Sequence, residues 1–362
     1  MNTLLRSVED PVNKNFKLFN YTWQYIEANH IESKTLKRDE MIYGAIKGMV
    51  ASVGDPFTAF LNPTEHRAFQ ESLTGVFEGV GIEVAKVDGN IQVEKVYEDS
   101  AGSRAGLKKG DRIISINHKI INSWSLSEMK SIINGKKGTK INLEVYSDLN
   151  SDFRELEIIQ DEFIPPSVNY TVNNSMGNRI GIIQVTRFGE QTIDEWKRLV
   201  PEIEDVNGIV IDLRNNLGGF TEVPLYIASE FIEYGGIYKE INNKGVEKTF
   251  SVNHKGNFLK IPVIVLINKK SVSATEMLAA SMRYHKRAIL VGEISFGKAT
   301  EQTIYDLENG SGLHITTSKW LIPDGSSVDH VGLIPEYQIE VTKNDILNNQ
   351  DPQLDFAIKL LD

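Results

Sequence analysis

Chemistry in this chain points first to a serine that follows an apolar run. Residues 261–302 read IPVIVLINKKSVSATEMLAASMRYHKRAILVGEISFGKATEQ. The pattern predicts a buried strand over 262–267, a polar loop, a helix opening at Ser273 and Ala274 and running to Tyr284, a second strand over 288–291, and then the step Gly297-Lys298. An unbroken apolar run of this length suits a strand covered on both faces. A serine at a strand-to-helix turn lies where first-turn N–H groups point outward, a setting that suits developing negative charge. A plainer use exists for the same residues: Ser273-Ala-Thr-Glu276 has capping-box spacing. Ser273 is therefore either a nucleophile or a cap, and capping leaves Lys298 and Gln302 without a role.

Taken together, SVSATEMLAASM and RAILVGEISFGKATEQ resemble the catalytic segment of the carboxyl-terminal processing proteases, PDZ-containing, tail-specific peptidases with a Ser/Lys dyad. Their pattern is a serine in an S-A-S-E-like turn, then V-G-E-x-x-F-G-K-G, with glutamine four residues after the lysine. The resemblance implies Ser273 as nucleophile, Lys298 as general base and Gln302 as the residue orienting that lysine. The serine and lysine stand 25 positions apart, the family's spacing. Ala299 and Thr300 depart from its commoner Gly-Thr or Gly-Ser. Only the free amine of a lysine can accept the serine proton, so Lys298 needs desolvation or a nearby positive charge to lower its pKa. The apolar strand before it and the pair Phe296-Gly297 are expected to exclude water.

Composition narrows the other possibilities. At 362 residues two or three domains are expected. A formal charge of 39 − 49 = −10 argues against a nucleic-acid partner, which would want basic patches. The absence of cysteine excludes disulfides, thiolate metal sites and a Cys nucleophile. The seven histidines are scattered without H-E-x-x-H, and neither G-x-S-x-G nor a phosphate loop is present. No metal and no cofactor is therefore expected. A Ser-His-Asp triad, with His285 or His314 nearest in sequence, has no motif behind it. There is no 18-residue apolar run, and MNTLLRSVED lacks the apolar region of a signal peptide. The resembled family usually works outside the cytoplasm, so an extracytoplasmic, mature or trimmed form is expected.

The chain divides by pattern into four parts. Residues 1–75 read as helical, with Phe16, Phe19, Tyr21, Trp23 and Ile26 spaced for one helix face and a second helix over 39–53. The segment YGAIKGMVASVGDPFTAFL (43–61) also resembles the family; it is read as packing and dimer contacts, without chemistry. Residues 76–160 change to short strands and turns, with a hairpin signal at Asp88-Gly89. Ser103-Arg-Ala-Gly-Leu107, Gly110-Asp111 and Ile116-Asn117 resemble the signature of a PDZ domain. That resemblance implies Phe77, Gly79, Val80, Gly81 and Ile82 as the loop whose amides hold a peptide's terminal carboxylate, the peptide adding as a strand. Asn134 stands where the family commonly has arginine.

Residues 161–340 alternate strand (179–188), helix (192–203), strand (208–219 with its glycine loop) and helix (223–232), which implies a covered, largely parallel sheet. DLRNNLGG (212–219) resembles the family's D-L-R-x-N-P-G-G. By that match an N–H of Gly218 or Gly219 joins that of Ala274 as oxyanion hole; paired glycines permit the close backbone approach such donors need. Gly332-Leu-Ile-Pro-Glu336 resembles the family's tail motif, and residues 341–362 end in a helix capped by Asp351 with Pro352 at its first turn. The expected fold is multi-domain α+β: a helical N-terminal region, a β-rich PDZ domain and an α/β protease core of crotonase/Clp type. The implied function is a serine endopeptidase acting on extended or unfolded protein segments with accessible C-termini, as a homodimer or higher oligomer through terminal helices. A non-hydrolysing PDZ scaffold and a crotonase-like acyl-CoA enzyme are the alternatives.

Overall fold

The computed structural model describes residues 11–121, 124–147, 151–175, 177–203 and 205–362. Its centre is a six-stranded sheet in the order Val168–Ser175, Asn178–Val185, Gly208–Asp212, Val263–Ile267, Ile289–Gly292, Tyr337–Gln338. The first pair is antiparallel and every later pair is parallel. All residues of Gly208–Asp212 and of Val263–Ile267 are buried, which is why these segments read as unbroken apolar runs. Side chains alternate between two cores. Ile209, Ile211, Val263, Val265 and Ile267 meet Trp196, Phe231 and Met277 from the helices Thr192–Leu199, Glu222–Phe231 and Ala274–Tyr284. Val210, Ile264 and Leu266 instead meet Ala357 and Ile358 of the C-terminal helix Pro352–Leu361.

A second sheet contains Ala59–Leu61, Gly312–Leu321, Gly236–Asn242, Glu247–Ser251 and Thr300–Asp306. Its first strand comes from the N-terminal region and pairs antiparallel with Gly312–Leu321, so that region is built into this sheet. The helix Pro11–Asn29 forms as expected, but Phe16 and Tyr21 on it are exposed. The helix expected over 192–203 stops at Leu199 and tightens into a 3-10 turn, Val200–Glu202, because Pro201 has no N–H to continue it.

Residues 82–159 form a separate sheet of five strands plus a short sixth, with helices Ala101–Arg104 and Leu126–Ile133. The hairpin turns at Asp88 and Gly89, both at positive φ (49° and 82°), the geometry its strand twist favours. A two-stranded ladder, Phe77–Gly79 against Asp161–Phe163, closes the neck between this unit and the core.

Candidate active site

Ser273 ends the loop after Val263–Ile267 and starts the helix Ala274–Tyr284 at φ 58°, ψ −117°. Such a backbone costs a non-glycine residue on the order of 1–3 kcal/mol and persists only where its surroundings impose it. A strained strand-to-helix turn of this kind presents a side-chain oxygen outward at the head of a helix. No glycine motif marks it in the sequence.

Glu276 is fully buried and does more than cap. Its Oε2 accepts the N–H of Ser273 at 2.9 Å and that of Lys298 at 2.9 Å; its Oε1 accepts the N–H of Gly297 at 2.6 Å and the Ser295 hydroxyl. Burial raises its pKa, and these four donors oppose that rise. The loop 295–297 is pressed in turn against the tail motif. Gly297 lies at φ 87°, and a Cβ there would stand 2.7 Å from the N of Gly332, so only glycine fits.

Lys298 is half-buried. Its Nζ donates to Gln302 Oε1 at 2.7 Å and lies 4.9 Å from the centroid of the Phe57 ring. Burial lowers its pKa; Asp55, Glu301 and Glu276 pull the other way. Among the described residues, none of its hydrogen bonds reaches Ser273 in this conformation. Gln302 is fixed from behind, its Nε2 donating to Thr300 Oγ1 at 3.1 Å and Thr316 Oγ1 at 3.0 Å. Phe57 belongs to the segment expected to supply packing alone. The packing it supplies reaches the site: the turn after the helix Arg38–Ala51 lays its aromatic ring against the lysine.

The glycine loop adjoins the serine. A Cβ on Gly218 would stand 3.3 Å from Ser273 Cβ. The N–H of Gly218 donates to Asn216 Oδ1 at 2.9 Å in this conformation. Gly219, at φ 142°, has no room for a Cβ against the Phe188 carbonyl. Its N–H and that of Ala274 carry no hydrogen bond to a described residue. Asn216, which the sequence reading passed over, is the joint: fully buried, it donates to the Val185 carbonyl and accepts from Val272 N–H and Thr275 Oγ1. Asp212 and Arg214 are occupied away from the serine, the guanidinium gripping Asp212 and Asp351 at 2.7 Å each.

The expected carboxylate loop of the PDZ unit is only partly available. Phe77 and Gly79 are engaged in the neck ladder, with Phe77 stacked on Phe163. Val80 donates its N–H to the Ile133 carbonyl at 2.8 Å and accepts from Gly102 at 2.7 Å. In this conformation Phe77 and Gly79 lie in the neck ladder and both backbone groups of Val80 are already paired. Gly81 and Ile82 are buried beside them. His285 and His314 lie away from any serine contact: His285 Nε2 meets the Gly236 carbonyl, and His314 packs on Phe69.

Comparison with known proteins identifies the family. Residues 179–339 match the model of peptidase family S41, and residues 73–146 match that of the PDZ domain. The carboxy-terminal processing protease CtpA of Bacillus subtilis is 31% identical over 328 residues, covering 90% of this chain and 69% of the relative. CtpB of the same organism is 30% identical, covering 88% and 66%; the chain thus spans about two thirds of these relatives' length. Relatives also include a chloroplastic carboxyl-terminal-processing peptidase of Arabidopsis thaliana, 29% identical, covering 87% of this chain and 64% of the relative. Among solved structures, a putative S41 protease of Bacteroides fragilis shares the fold at TM-score 0.63 and 16% identity, covering 93% of this chain and 96% of that one. The photosystem II D1 C-terminal processing protease does so at TM-score 0.52 and 24% identity, covering 89% and 86%. Neither the acyl-CoA nor the non-hydrolysing alternative is favoured by them. Two domain models in sequence along one chain, and relatives aligned through both, make the conclusion direct: the chain belongs to peptidase family S41 and is a PDZ-bearing serine peptidase of the carboxy-terminal processing type.

Proposed function

We propose that Ser273, Lys298 and Gln302 carry out peptide hydrolysis through an acyl-enzyme. Lys298, as free amine, takes the Ser273 proton; the alkoxide attacks a peptide carbonyl; the N–H groups of Ala274 and Gly219 receive the oxyanion. The protonated lysine then gives its proton to the departing amine, and a water deprotonated by Lys298 releases the acyl group. The observation that carries this reading is the half-buried Lys298 amine, bonded to Gln302 and roofed by Phe57, in a loop tied by one carboxylate to the backbone of Ser273. The reading requires Nζ to leave its apo position and reach Ser273 Oγ when substrate closes the site. Catalytic hydrogen bonds commonly tighten only in the complex.

Substrates are extended segments with free C-termini, captured through the PDZ loop at Gly81 and Ile82 once the Val80–Ile133 contact opens. We place the protein outside the cytoplasm, in keeping with its bacterial and chloroplastic relatives. Among the described residues no helix is long and apolar enough to cross a membrane. Exposed Phe16 and Tyr21 on the first helix, and Ile346 and Leu347 near the C-terminus, support self-association through terminal helices. Casein hydrolysis by wild type beside Ser273→Ala and Lys298→Ala tests the site: wild type cleaves and both variants are silent. Cleavage by a well-folded Ser273→Ala at the wild-type rate would remove the proposal.

A further inference from the structure

Two buried histidines from segments far apart in sequence meet on the strand that carries Thr316. His66 lies on the helix Pro63–Thr74 and His314 on the strand Gly312–Leu321; they are 3% and 6% exposed. Their ring centroids stand 5.9 Å apart at 76°, and Phe69 of the same helix sets its ring edge-on to His314 at 4.4 Å. The helix sits directly on the strand's backbone, since a Cβ on Gly312 would overlap the His66 ring. His66 Nε2 meets Asp306 Oδ1 at 2.8 Å, and Gln70 Nε2 donates to the same oxygen at 3.3 Å.

The other nitrogens of this pair have nothing to bond. His66 Nδ1 and His314 Nε2 are both buried without a hydrogen-bond partner among the described residues. A neutral imidazole can leave one nitrogen as an idle acceptor, whereas an imidazolium carries an N–H at both and needs two acceptors. A proton taken up here therefore buries a charge and an unpaired donor at a contact of ring against ring. The charged groups around His314 come from the neighbouring elements. Burial works most strongly against a charge on it, followed by His66 on the helix and Lys298 ahead of the strand Thr300–Asp306, while Asp306 favours it. The strand Ala59–Leu61, which pairs Ala59 with His314, adds no titratable side chain.

We propose that the contact between His66 and His314 is an acid-released latch: a proton taken up there unseats the helix Pro63–Thr74 from the strand Gly312–Leu321 and lowers peptidase activity. The consequence follows from what is attached to the helix. Ahead of it, Ala59–Leu61 pairs with the same strand, and Phe57 just before that covers Lys298. Behind it, Gly75 caps the helix at φ 79° and leaves no room for a Cβ against the Arg187 guanidinium. The neck strand Phe77–Gly79 begins two residues later. An unseated helix thus loosens the lysine's cover and the neck together. Histidine changes charge near pH 6.5, and His314 is held below that value, so the latch is closed at neutral pH and opens in mild acid.

The experiment is hydrogen–deuterium exchange of residues 63–75 in the full chain at about pH 7.5 and about pH 5.5, either side of the free histidine value. Exchange is corrected for its intrinsic pH dependence, and kcat on a fluorogenic peptide is followed over the same range. Wild type is compared with His314→Gln, His314→Phe and Ser273→Ala, each checked for folding by thermal melting at neutral pH. Expected in wild type is exchange on the order of 10-fold faster at the lower pH, about what one coupled proton gives per pH unit, reversed on return to neutral. The two His314 variants cannot take up this proton and show no such change. Below about pH 6.5 wild-type kcat falls more steeply than theirs, and above it the curves run parallel. Equal protection of wild type at both pH values overturns the latch, as does the same loosening in both His314 variants. Loosening in wild type without the added fall in kcat overturns its link to activity. Ser273→Ala loosens as wild type does while staying inactive; activity in it would remove the proposed nucleophile and leave the latch standing on the exchange.

Discussion

One oxygen of Glu276 accepts the backbone N–H of Lys298 at 2.9 Å while accepting that of Ser273 at the same distance. The two proposed reacting residues are held in register by a carboxylate that touches neither of their side chains. Glu276→Gln places an NH2 among four donors and leaves at least one buried group unpaired. The expected cost is on the order of 2–4 kcal/mol, seen as a lower midpoint in urea unfolding. Activity per folded molecule also falls, because the spacing of the Ser273 turn and the Lys298 loop relaxes. A Gln variant with wild-type midpoint and wild-type kcat would show that this clamp is dispensable.

Burial holds the Lys298 pKa below that of an ordinary lysine. The reacting form is the free amine, so kcat rises with pH, and its midpoint lies below the roughly 10.4 of a solvated lysine. A rising limb centred at or above that value, measured on a substrate whose own groups do not titrate, would mean that the lysine is solvated or is not the base.

Phe57 acts on that midpoint in two opposed ways, and two substitutions separate them. Its ring excludes water, which favours the free amine, and its π face attracts the ammonium, worth about 0.5–2 kcal/mol. Phe57→Leu keeps the cover and loses the π face, so the limb shifts to lower pH. Phe57→Ala lets water in, and the limb shifts to higher pH with a lower rate near neutrality. Shifts in the same direction for both variants would contradict the assignment.

His314 gives a stability prediction. Burial, then His66 and Lys298, lower its pKa, with Asp306 opposing; its Nε2 is buried without a partner. The unfolded chain binds this proton near pH 6.5, while the folded one binds it only at lower pH. Stability from His314 is therefore complete above the unfolded pKa and is lost as pH falls from there toward the folded value. Thermal midpoints of wild type should drop more steeply as pH falls below the unfolded histidine value of about 6.5 than those of His314→Gln. Parallel slopes would assign the loss to other groups.

How much of this was readable from residues alone depends on the range of the interaction. Val263–Ile267 and Gly208–Asp212 announce themselves because a strand buried on both faces must be apolar at every position. The hairpin signal at Asp88-Gly89 is equally local, and the turn forms there. At Glu276 the capping-box spacing was legible, but its grip on Gly297 and Lys298 was not, since those partners come from beyond a helix and a strand. Phe57 was hidden more deeply: it reaches Lys298 only because Ala59–Leu61 adds to the strand Gly312–Leu321. That the Gly218 N–H is engaged while that of Gly219 is not depends on Asn216, whose side chain folds back within its own loop. The PDZ loop was legible as a motif, whereas the pairing of Val80 with Ile133 depends on where the helix Leu126–Ile133 ends.

The most direct measurement is intact-mass and peptide-mapping analysis after exposure to a serine-reactive acylating probe at several pH values. Ser273 should be modified to one equivalent in wild type and not at all in Ser273→Ala. In Lys298→Ala it should be modified at least ~100-fold more slowly. Labelling of another residue during turnover, or an equal labelling rate in Lys298→Ala, would contradict a serine activated by that lysine.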